Sequence, residues 1–214
     1  MNKDDKNIVI TSAARTAIGA FRGSLKSMQA SDLGALTVKA AIKRSNLNSN
    51  DVDELIMGQV LTAATGQNPA RQAAIKSGIS NEKTAYIINQ VCGSGLRAVV
   101  AGYQAIISND SKIVIAGGQE SMTNAPHAIN FRDNKKLDET KLIDTMIKDG
   151  LWDAFNGYHM GITAENVATK WQITRKDQDE FALSSQNKFE KAQKEGKFND
   201  EIIPIKIKLE KHDH

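Results

Sequence analysis

The stretch YIINQVCGSGLRAVVA, residues 86–101, decides the fold and carries the side chain that is best suited to chemistry. It opens with a short apolar run, Tyr-Ile-Ile, which predicts a buried strand. Residues 96–107 are apolar over a length that predicts a buried helix. Between the two lies Cys92, the only cysteine of the sequence, followed by Gly-Ser-Gly. The sequence therefore predicts a cysteine on a strand-to-helix turn.

Cys92 in that setting is predicted to be a nucleophile. The positive end of a helix dipole stabilises an anion, so a cysteine there is suited to react as a thiolate. Gly93 and Gly95 lack a Cβ, which lets a substrate approach the backbone. A lone cysteine is usually a small buried hydrophobic residue, but such a residue does not need flanking glycines. The usual partner base is a histidine, and sequence spacing pairs neither His127 nor His159 with Cys92.

The same residues also allow a dinucleotide-binding interpretation. Residues 93–98, GSGLRA, fit G-x-G-x-x-[GA] between a strand and a helix. That fingerprint needs an acidic residue at the end of the next strand, and the candidate, Glu120, comes late and follows a Gly-Gly pair. The motif alone is weak evidence, and a dinucleotide site has no use for the cysteine.

Strands and helices alternate along the first part of the chain, which predicts an α/β core with a largely parallel sheet. Helical spacing follows Ser31 up to residue 44, and Asn68-Pro69 predicts the start of a helix that ends before Gly78. The predicted strands cover residues 8–10, 54–61, 86–88 and 112–116.

The character of the sequence changes near residue 120. Residues 121–141 are polar and irregular, and helices are predicted over residues 142–149, 163–171 and 175–195. Thr174 and Asp177 form a capping-box pattern at the start of the last one. A strand-like segment, 201–208, follows. We expect two domains, residues 1–120 and residues 121–214, with no strand returning from the second to the first.

Composition narrows the classes of function. The net charge is +3, basic and acidic residues are interleaved and only 5% of residues are aromatic, which argues against a nucleic-acid partner. One cysteine excludes an internal disulfide and gives no metal-ligand cluster. The N-terminus resembles neither a signal nor a transit peptide, and no apolar run approaches membrane-spanning length. We expect a cytoplasmic protein without a membrane or metal partner.

Several segments together resemble the thiolases, specifically the biosynthetic acetyl-CoA acetyltransferases. The central segment, NQVCGSGLRAV at residues 89–99, resembles the active-site cysteine motif of that family, and Gly93 and Arg97 favour the biosynthetic type. Five other segments resemble the family in its order and spacing: VITSAARTAIGAFRGSL (9–25), GQNPARQAA (66–74), GGQESMTNAPH (117–127), LIDTMIKDGLWDAFNGYHMGITAENVA (142–168) and DEFALSSQNK (179–188). This resemblance covers nearly the whole chain. It favours the interpretation of Cys92 as a nucleophile over the dinucleotide-binding interpretation.

The resemblance implies a fold and a reaction. The fold is the N-terminal half of a thiolase, a βαβαβ core sheet with helices, followed by part of a mainly helical loop domain that covers coenzyme A. In the family, the cysteine at the position of Cys92 takes an acetyl group from acetyl-CoA and passes it to a second acetyl-CoA, giving acetoacetyl-CoA. Leu151, His159 and Met160 match positions that line the coenzyme A channel. Coenzyme A thioesters are substrates, no further cofactor is implied, and the family forms homo-oligomers.

The resemblance also implies a second half that is not found in these 214 residues. In the family that half carries a histidine in a Gly-His-Pro motif, a second cysteine in a Cys-x-Gly-Gly motif and an asparagine that positions a water. We therefore expect this chain alone not to turn over acetyl-CoA. It would act either with a missing C-terminal half, as in a split enzyme, or as a subunit that only associates.

Overall fold

The computed structural model describes residues 7–130 and 142–207 and has an α/β core, as predicted. Three parallel strands form its sheet, with β1 (Glu54–Gly58) in the centre, β2 (Thr84–Ile88) on one side and β3 (Val114–Gly118) on the other. Glu54 is in register with Thr84 and with Val114, so the three strands end at the same level. Parallel strands bind ligands at their carboxyl ends, and these ends bear the candidate site.

Two layers of helices cover the central strand. The helices α1 (Ala30–Arg44) and α2 (Pro69–Ser77) pack together with Leu55 and Met57 in one hydrophobic core. The helix α3 (Ser94–Ile107) contacts β1, β2 and β3. Leu55, Ile56 and Met57 are each no more than 2% exposed, because β1 is covered on both faces. This burial is typical of parallel sheets.

The predicted ends of two helices are confirmed. Asn68 adopts a left-handed conformation before α2, and its side-chain oxygen accepts a hydrogen bond from the backbone nitrogen of Arg71. Gly78 ends the same helix with φ +96°, a conformation that favours glycine. The helix α5 (Arg175–Lys194) begins with the predicted capping box of Thr174 and Asp177. These signals are local, so the sequence alone reveals them.

The stretch around Cys92 is more exposed than predicted. The strand β2 lies at one edge of the sheet, and its Tyr86 is 38% exposed. The helix α3 buries Ser94, Ala98 and Gly102, but its opposite face carries Leu96, Val99, Val100, Tyr103 and Ile107, which are exposed. Apolar composition predicts burial, whereas the described core covers only one side of this helix.

Two predicted strands are wrong. Residues 8–10 do not pair with the sheet, because the following residues bind the end of α1 instead. Ser12 Oγ donates to the Ala41 carbonyl oxygen, and a guanidinium nitrogen of Arg44 donates to the Ala13 carbonyl oxygen. The segment 201–208 is reduced, within the described residues, to a single parallel bridge between Ile202 and Arg15.

That bridge also corrects the expectation that the chain does not return to its first part. The Arg15 nitrogen donates to the Glu201 carbonyl oxygen, and the Ile203 nitrogen donates to the Arg15 carbonyl oxygen, both at 2.9 Å. The Arg15 guanidinium pairs with the Glu201 carboxylate at 3.0 Å and lies over the Phe198 ring. One arginine therefore links the residues after α5 to the N-terminal segment.

The described residues beyond β3 are lightly packed. A short strand, β4 (His127–Ala128), pairs antiparallel with β5 (Ile143–Asp144), and a π-helical turn, Ile147–Leu151, replaces the helix predicted over residues 142–149. The helices α4 (Met160–Trp171) and α5 contain no buried residue. No helix within the described residues is long and apolar enough to cross a membrane.

Asp53 ties the start of β1 to the segments that precede β2 and β3. Its carboxylate accepts hydrogen bonds from the backbone nitrogens of Lys112 (2.8 Å) and Ile113 (3.1 Å) and lies 3.1 Å from the Lys83 ammonium nitrogen. The Lys112 hydrogen bond is the main cause that lowers the pKa of this carboxyl, against the opposing effect of burial. Charge-assisted bonds of this kind are the strong ones.

We expect Asp53→Asn to lower the free energy of unfolding by about 1.5–3 kcal/mol at pH 7. Because the pKa of Asp53 is lowered in the folded state, its contribution is present above the unfolded pKa and is lost as the pH falls through the folded pKa. The difference in unfolding free energy between Asp53→Asn and the unmodified protein should therefore shrink below about pH 4. Urea unfolding at pH 7 and at pH 3 measures both values.

The matched control is Asp179→Asn on α5, where the aspartate is 62% exposed and pairs with Arg175. An exposed pair of this spacing contributes roughly 0.3–0.5 kcal/mol. The role given to Asp53 would be contradicted if the two variants lost equal unfolding free energy at pH 7. It would also be contradicted if the loss for Asp53→Asn did not change with pH.

Candidate active site

The first turn of α3 rests directly on the carboxyl end of β1. A Cβ added at Gly58 would lie 2.4 Å from the Ser94 carbonyl carbon and 2.6 Å from the Gly95 nitrogen, so no side chain fits there. Gly118, at the end of β3, also faces this turn, although less closely: a Cβ added there would lie 3.5 Å from the Gly95 Cα, an ordinary van der Waals contact. Helix and sheet therefore meet backbone to backbone, and Cys92 lies at the edge where the strands end.

Hydrogen bonds fix the turn that carries Cys92. Ser94 is buried, and its Oγ accepts from the Gln90 nitrogen at 2.8 Å and donates to the Val91 carbonyl oxygen at 2.6 Å. The Asn89 side-chain oxygen accepts from the Val91 nitrogen at 2.9 Å. The Gly93 nitrogen donates to the Gln90 carbonyl oxygen. Side chains on both sides of Cys92 hold its backbone while the thiol remains exposed.

Val91, immediately before Cys92, has a φ of +48°. A β-branched residue rarely adopts this left-handed conformation, because its side chain crowds the backbone. Such strain persists only where the surrounding contacts enforce it, and it concentrates at functional sites. The predicted tight turn at Cys92 is thus present, and the strained residue is the one before the cysteine.

Cys92 opens onto a cavity of about 430 Å³ at the carboxyl ends of the strands. The ends of β1 and β3 supply one wall, and the turn Ile147–Leu151 supplies another. Among the described residues that line it, Glu120 is the one ionisable side chain besides Cys92. Burial raises the pKa of the Glu120 carboxyl, although hydrogen bonds from backbone nitrogens partly lower it.

The structure brings one of the three predicted coenzyme A contacts to this cavity. Leu151 lines it, whereas His159 and Met160 lie further along the chain at the start of α4. His159 caps α4, because its Nδ1 accepts a hydrogen bond from the Gly161 nitrogen at 3.0 Å. In that arrangement neutral His159 carries its proton on Nε2. A backbone bridge between Trp152 and His159 ties the two segments together.

Neither histidine considered as a base lies in the Cys92 cavity among the described residues. His127 belongs to β4, where its Nε2 lies 3.8 Å from an Asp144 carboxylate oxygen. His159 has an exposed ring and one nitrogen occupied by its own helix. Both histidines serve local structure in this arrangement.

The comparisons with known proteins agree with this geometry. The family model for the thiolase N-terminal domain matches residues 8–214. The chain belongs to the thiolase family. It is 59% identical over 207 residues to an acetyl-CoA acetyltransferase of Rhizobium meliloti (strain 1021), covering 97% of this chain and 53% of that protein. The acetyl-CoA acetyltransferase of Paracoccus denitrificans is 58% identical over 203 residues, covering 95% and 52%.

A solved thiolase shares the fold. The crystal structure of the Acat5 thiolase from Ascaris suum in complex with coenzyme A matches this chain with a TM-score of 0.86 and 41% identity. The match covers 92% of this chain and 51% of the other. This thiolase chain thus spans about half the length of the curated relatives it matches.

Several residues that line the cavity were not predicted as site residues from the sequence, among them Gln59, Leu61, Gln119 and Glu120. The sequence suggests a role for Glu120 only in a dinucleotide site. Polar residues that directly follow the carboxyl ends of neighbouring parallel strands are the signal that could have found Gln59 and Gln119, and Glu120 comes one residue later. Leu61 gives no such signal, because an apolar residue after a strand is common.

We expect Gly58→Ala to lower the free energy of unfolding by roughly 1–3 kcal/mol, because a methyl group would press on the backbone of α3. It should also change the rate at which iodoacetamide alkylates Cys92, since α3 must shift. The matched control is Gly117→Ala, where an added Cβ would meet only the Met57 sulfur at 4.0 Å. The free energy of unfolding of that variant should stay within about 1 kcal/mol of the unmodified protein's. Equal stabilities of the two variants would refute the close contact.

Proposed function

We propose that this thiolase chain transfers acetyl groups through an acetyl thioester on Cys92. The Cys92 sulfur attacks the carbonyl carbon of acetyl-CoA, a new carbon–sulfur bond forms, and the bond to coenzyme A breaks. The released coenzyme A thiolate takes up the proton that Cys92 gave up. The observation that carries this proposal is the exposed Cys92 on a hydrogen-bonded turn beside a cavity at the sheet ends.

The second step completes the proposed reaction and needs a base, which the described residues do not place beside Cys92. Removal of a proton from the methyl group of a second acetyl-CoA gives a carbanion, which attacks the acetyl carbon on Cys92. The carbon–sulfur bond breaks, the released Cys92 thiolate takes up that proton, and acetoacetyl-CoA forms. The reverse direction is thiolysis. Two features of the described residues support the first bond-forming step: the start of α3 stabilises developing negative charge, and Gly93 and Gly95 leave the backbone open. The relatives' printed names, acetyl-CoA acetyltransferase, support this choice of substrate.

We propose that Leu151, His159 and Met160 contact coenzyme A. Leu151 already lines the cavity beside Cys92, and the bridge between Trp152 and His159 holds the later segment next to it. His159 presents Nε2–H to solvent, where it can donate to an acceptor on the ligand. The coenzyme A in the Ascaris suum structure supports a ligand of this class.

The domain boundaries are part of the same proposal. Residues 1–120 form the thiolase core, and residues 121–214 form the loop domain that covers coenzyme A. The described helices α4 and α5 bury none of their residues, whereas β1 is buried at every residue after Glu54. A segment that is lightly packed against the core is suited to move when a ligand binds.

We expect iodoacetamide to alkylate Cys92 in the native protein at least about tenfold faster than in the same chain unfolded in urea. Incubation with acetyl-CoA should add the mass of one acetyl group, and Cys92→Ala should remove both modifications. Mass spectrometry of the intact protein measures both. Equal labelling rates in the two states together with no acetyl adduct would refute the proposal. Quenching of tryptophan fluorescence by NAD(P)H would instead support dinucleotide binding.

We further propose that the chain associates through the exposed face of α3. Leu96 is 73% exposed and Tyr103 53% exposed, and Val99 and Val100 lie between them. Contiguous exposed apolar surface of this kind marks interaction sites. A homo-oligomer, which the family resemblance implies, would cover it.

We expect sedimentation velocity to show dimers or larger species that dissociate on dilution. Tyr103→Lys should shift the distribution toward monomers, because it places a charge in the apolar face. The matched control, Phe181→Lys, changes an equally apolar side chain on α5 that is 77% exposed. A monomer at all concentrations that binds no dye specific for apolar surface would refute self-association. Association only with a separately expressed C-terminal thiolase half would assign the face to that partner.

A further inference from the structure

Three polar side chains join the carboxyl ends of β1 and β3 beneath the Cys92 cavity. We call Gln59, Gln119 and Glu120 the strand-end clamp. Gln59 is 1% exposed and Gln119 is 7% exposed. The Gln119 amide nitrogen donates to the Gln59 side-chain oxygen at 2.9 Å, and the Gln59 amide nitrogen donates to the Leu61 carbonyl oxygen at 2.9 Å. Buried amides therefore link two neighbouring strands and the loop that follows the central one.

The direction of these hydrogen bonds is fixed by the backbone. The Leu61 carbonyl oxygen can only accept, so Gln59 must turn its NH₂ group toward it. The Gln59 side-chain oxygen then faces Gln119, which must in turn present its own NH₂ group. The side-chain oxygen of Gln119 is left buried without a partner among the described residues.

This buried oxygen faces the backbone of α1. A Cβ added at Gly34 would lie 1.9 Å from it, so a side chain at that position would displace the Gln119 amide. A buried acceptor without a partner destabilises a fold. Its presence in a core that could hold an apolar side chain instead indicates that the amide pair serves a purpose other than stability.

Glu120 holds the same loop from the other side. One of its carboxylate oxygens accepts from the Val60 nitrogen at 2.8 Å, and the other accepts from the Leu61 nitrogen at 3.2 Å. The loop is therefore fixed at two backbone nitrogens and one carbonyl oxygen, all by side chains of the clamp. This arrangement leaves the Leu61 backbone little freedom to move.

Leu61 connects the clamp to the cover of the cavity. Its side chain is 8% exposed, and its Cδ2 would lie 3.5 Å from a Cβ added at Gly150. Leu61, Gly150 and Leu151 line the cavity together with Cys92. The turn Ile147–Leu151 therefore rests on Leu61.

We propose that Gln59, Gln119 and Glu120 are positioning residues that fix Leu61 as the seat of the turn Ile147–Leu151 opposite Cys92. They set the width of the opening that admits a thioester to the thiol. That the ligand is an acyl-CoA rests on the proposed function; the positioning itself does not.

The test is Glu120→Gln, followed by amide hydrogen exchange and mass spectrometry. A glutamine offers one acceptor oxygen where the carboxylate offers two, so one of the nitrogens of Val60 and Leu61 loses its partner. Exchange should become about tenfold faster or more at residues 60–61. The proposal also requires faster exchange at residues 147–151, while β1 keeps its protection. The matched control, Glu180→Gln on α5, removes a glutamate that is 65% exposed and should change neither segment.

Two outcomes of the exchange experiment would overturn the proposal: faster exchange at residues 60–61 with none at 147–151, or an equal rise across the whole core. Gln119→Leu gives a second measurement should Glu120→Gln fold poorly. It removes the unpartnered oxygen of Gln119 and leaves the Gln59 oxygen unpartnered instead, so the number of unsatisfied groups is unchanged. It should likewise speed exchange at 147–151 without a matching loss of protection in β1.

A protection experiment with coenzyme A distinguishes a failure of this inference from a failure of the proposed function. If coenzyme A slows the alkylation of Cys92 in the unmodified protein, Glu120→Gln should require about tenfold more of it for the same protection. If coenzyme A gives the unmodified protein no protection, ligand binding as proposed fails. The exchange experiment still decides whether the clamp positions the turn.

Discussion

The contact between Gly58 and the first turn of α3 is the constraint on which the rest of the structure depends. Without a side chain at Gly58, the helix begins directly above the end of the central strand. The chain must leave β2 and enter α3 through residues 89–93, and the left-handed φ of Val91 results from that short path. The thiol of Cys92 is therefore placed by backbone packing.

The sequence predicts those parts of the structure whose signals are local. Asn68, Pro69 and Gly78 set the ends of α2, and the strand–cysteine–helix order places Cys92 on the turn before α3. The lack of strand pairing at residues 8–10 could not be predicted, because the apolar run itself favours a strand, whereas Val9 and Ile10 are largely exposed and the following Ser12 is bonded to the end of α1. The bond from Val60 to Glu120 joins residues that only the register of the parallel sheet brings together.

The two walls of the Cys92 cavity differ in how they are held. The strand ends belong to a core in which Leu55, Ile56 and Met57 are buried, so that wall is stiff. The opposite wall, Ile147–Leu151, contains no buried residue and belongs to a lightly packed part of the described chain. A fixed thiol beneath a cover that can move suits the proposed reaction with a large thioester, because the ligand must enter before water is excluded.

Glu120 shows why an ionisable group in a cleft is not automatically a catalytic base. Its raised pKa and its place in the Cys92 cavity would single it out by the usual criterion. Both of its oxygens, however, accept hydrogen bonds from the backbone nitrogens of Val60 and Leu61. A base must be within reach of the proton it removes, and protonating this carboxylate would weaken the bonds that hold the loop. Its negative charge would also oppose a neighbouring thiolate, which the start of α3 stabilises. The geometry therefore indicates that Glu120 holds the backbone of the loop at residues 60–61. The negative charge that it brings into the cavity is offset by the backbone amides that it binds.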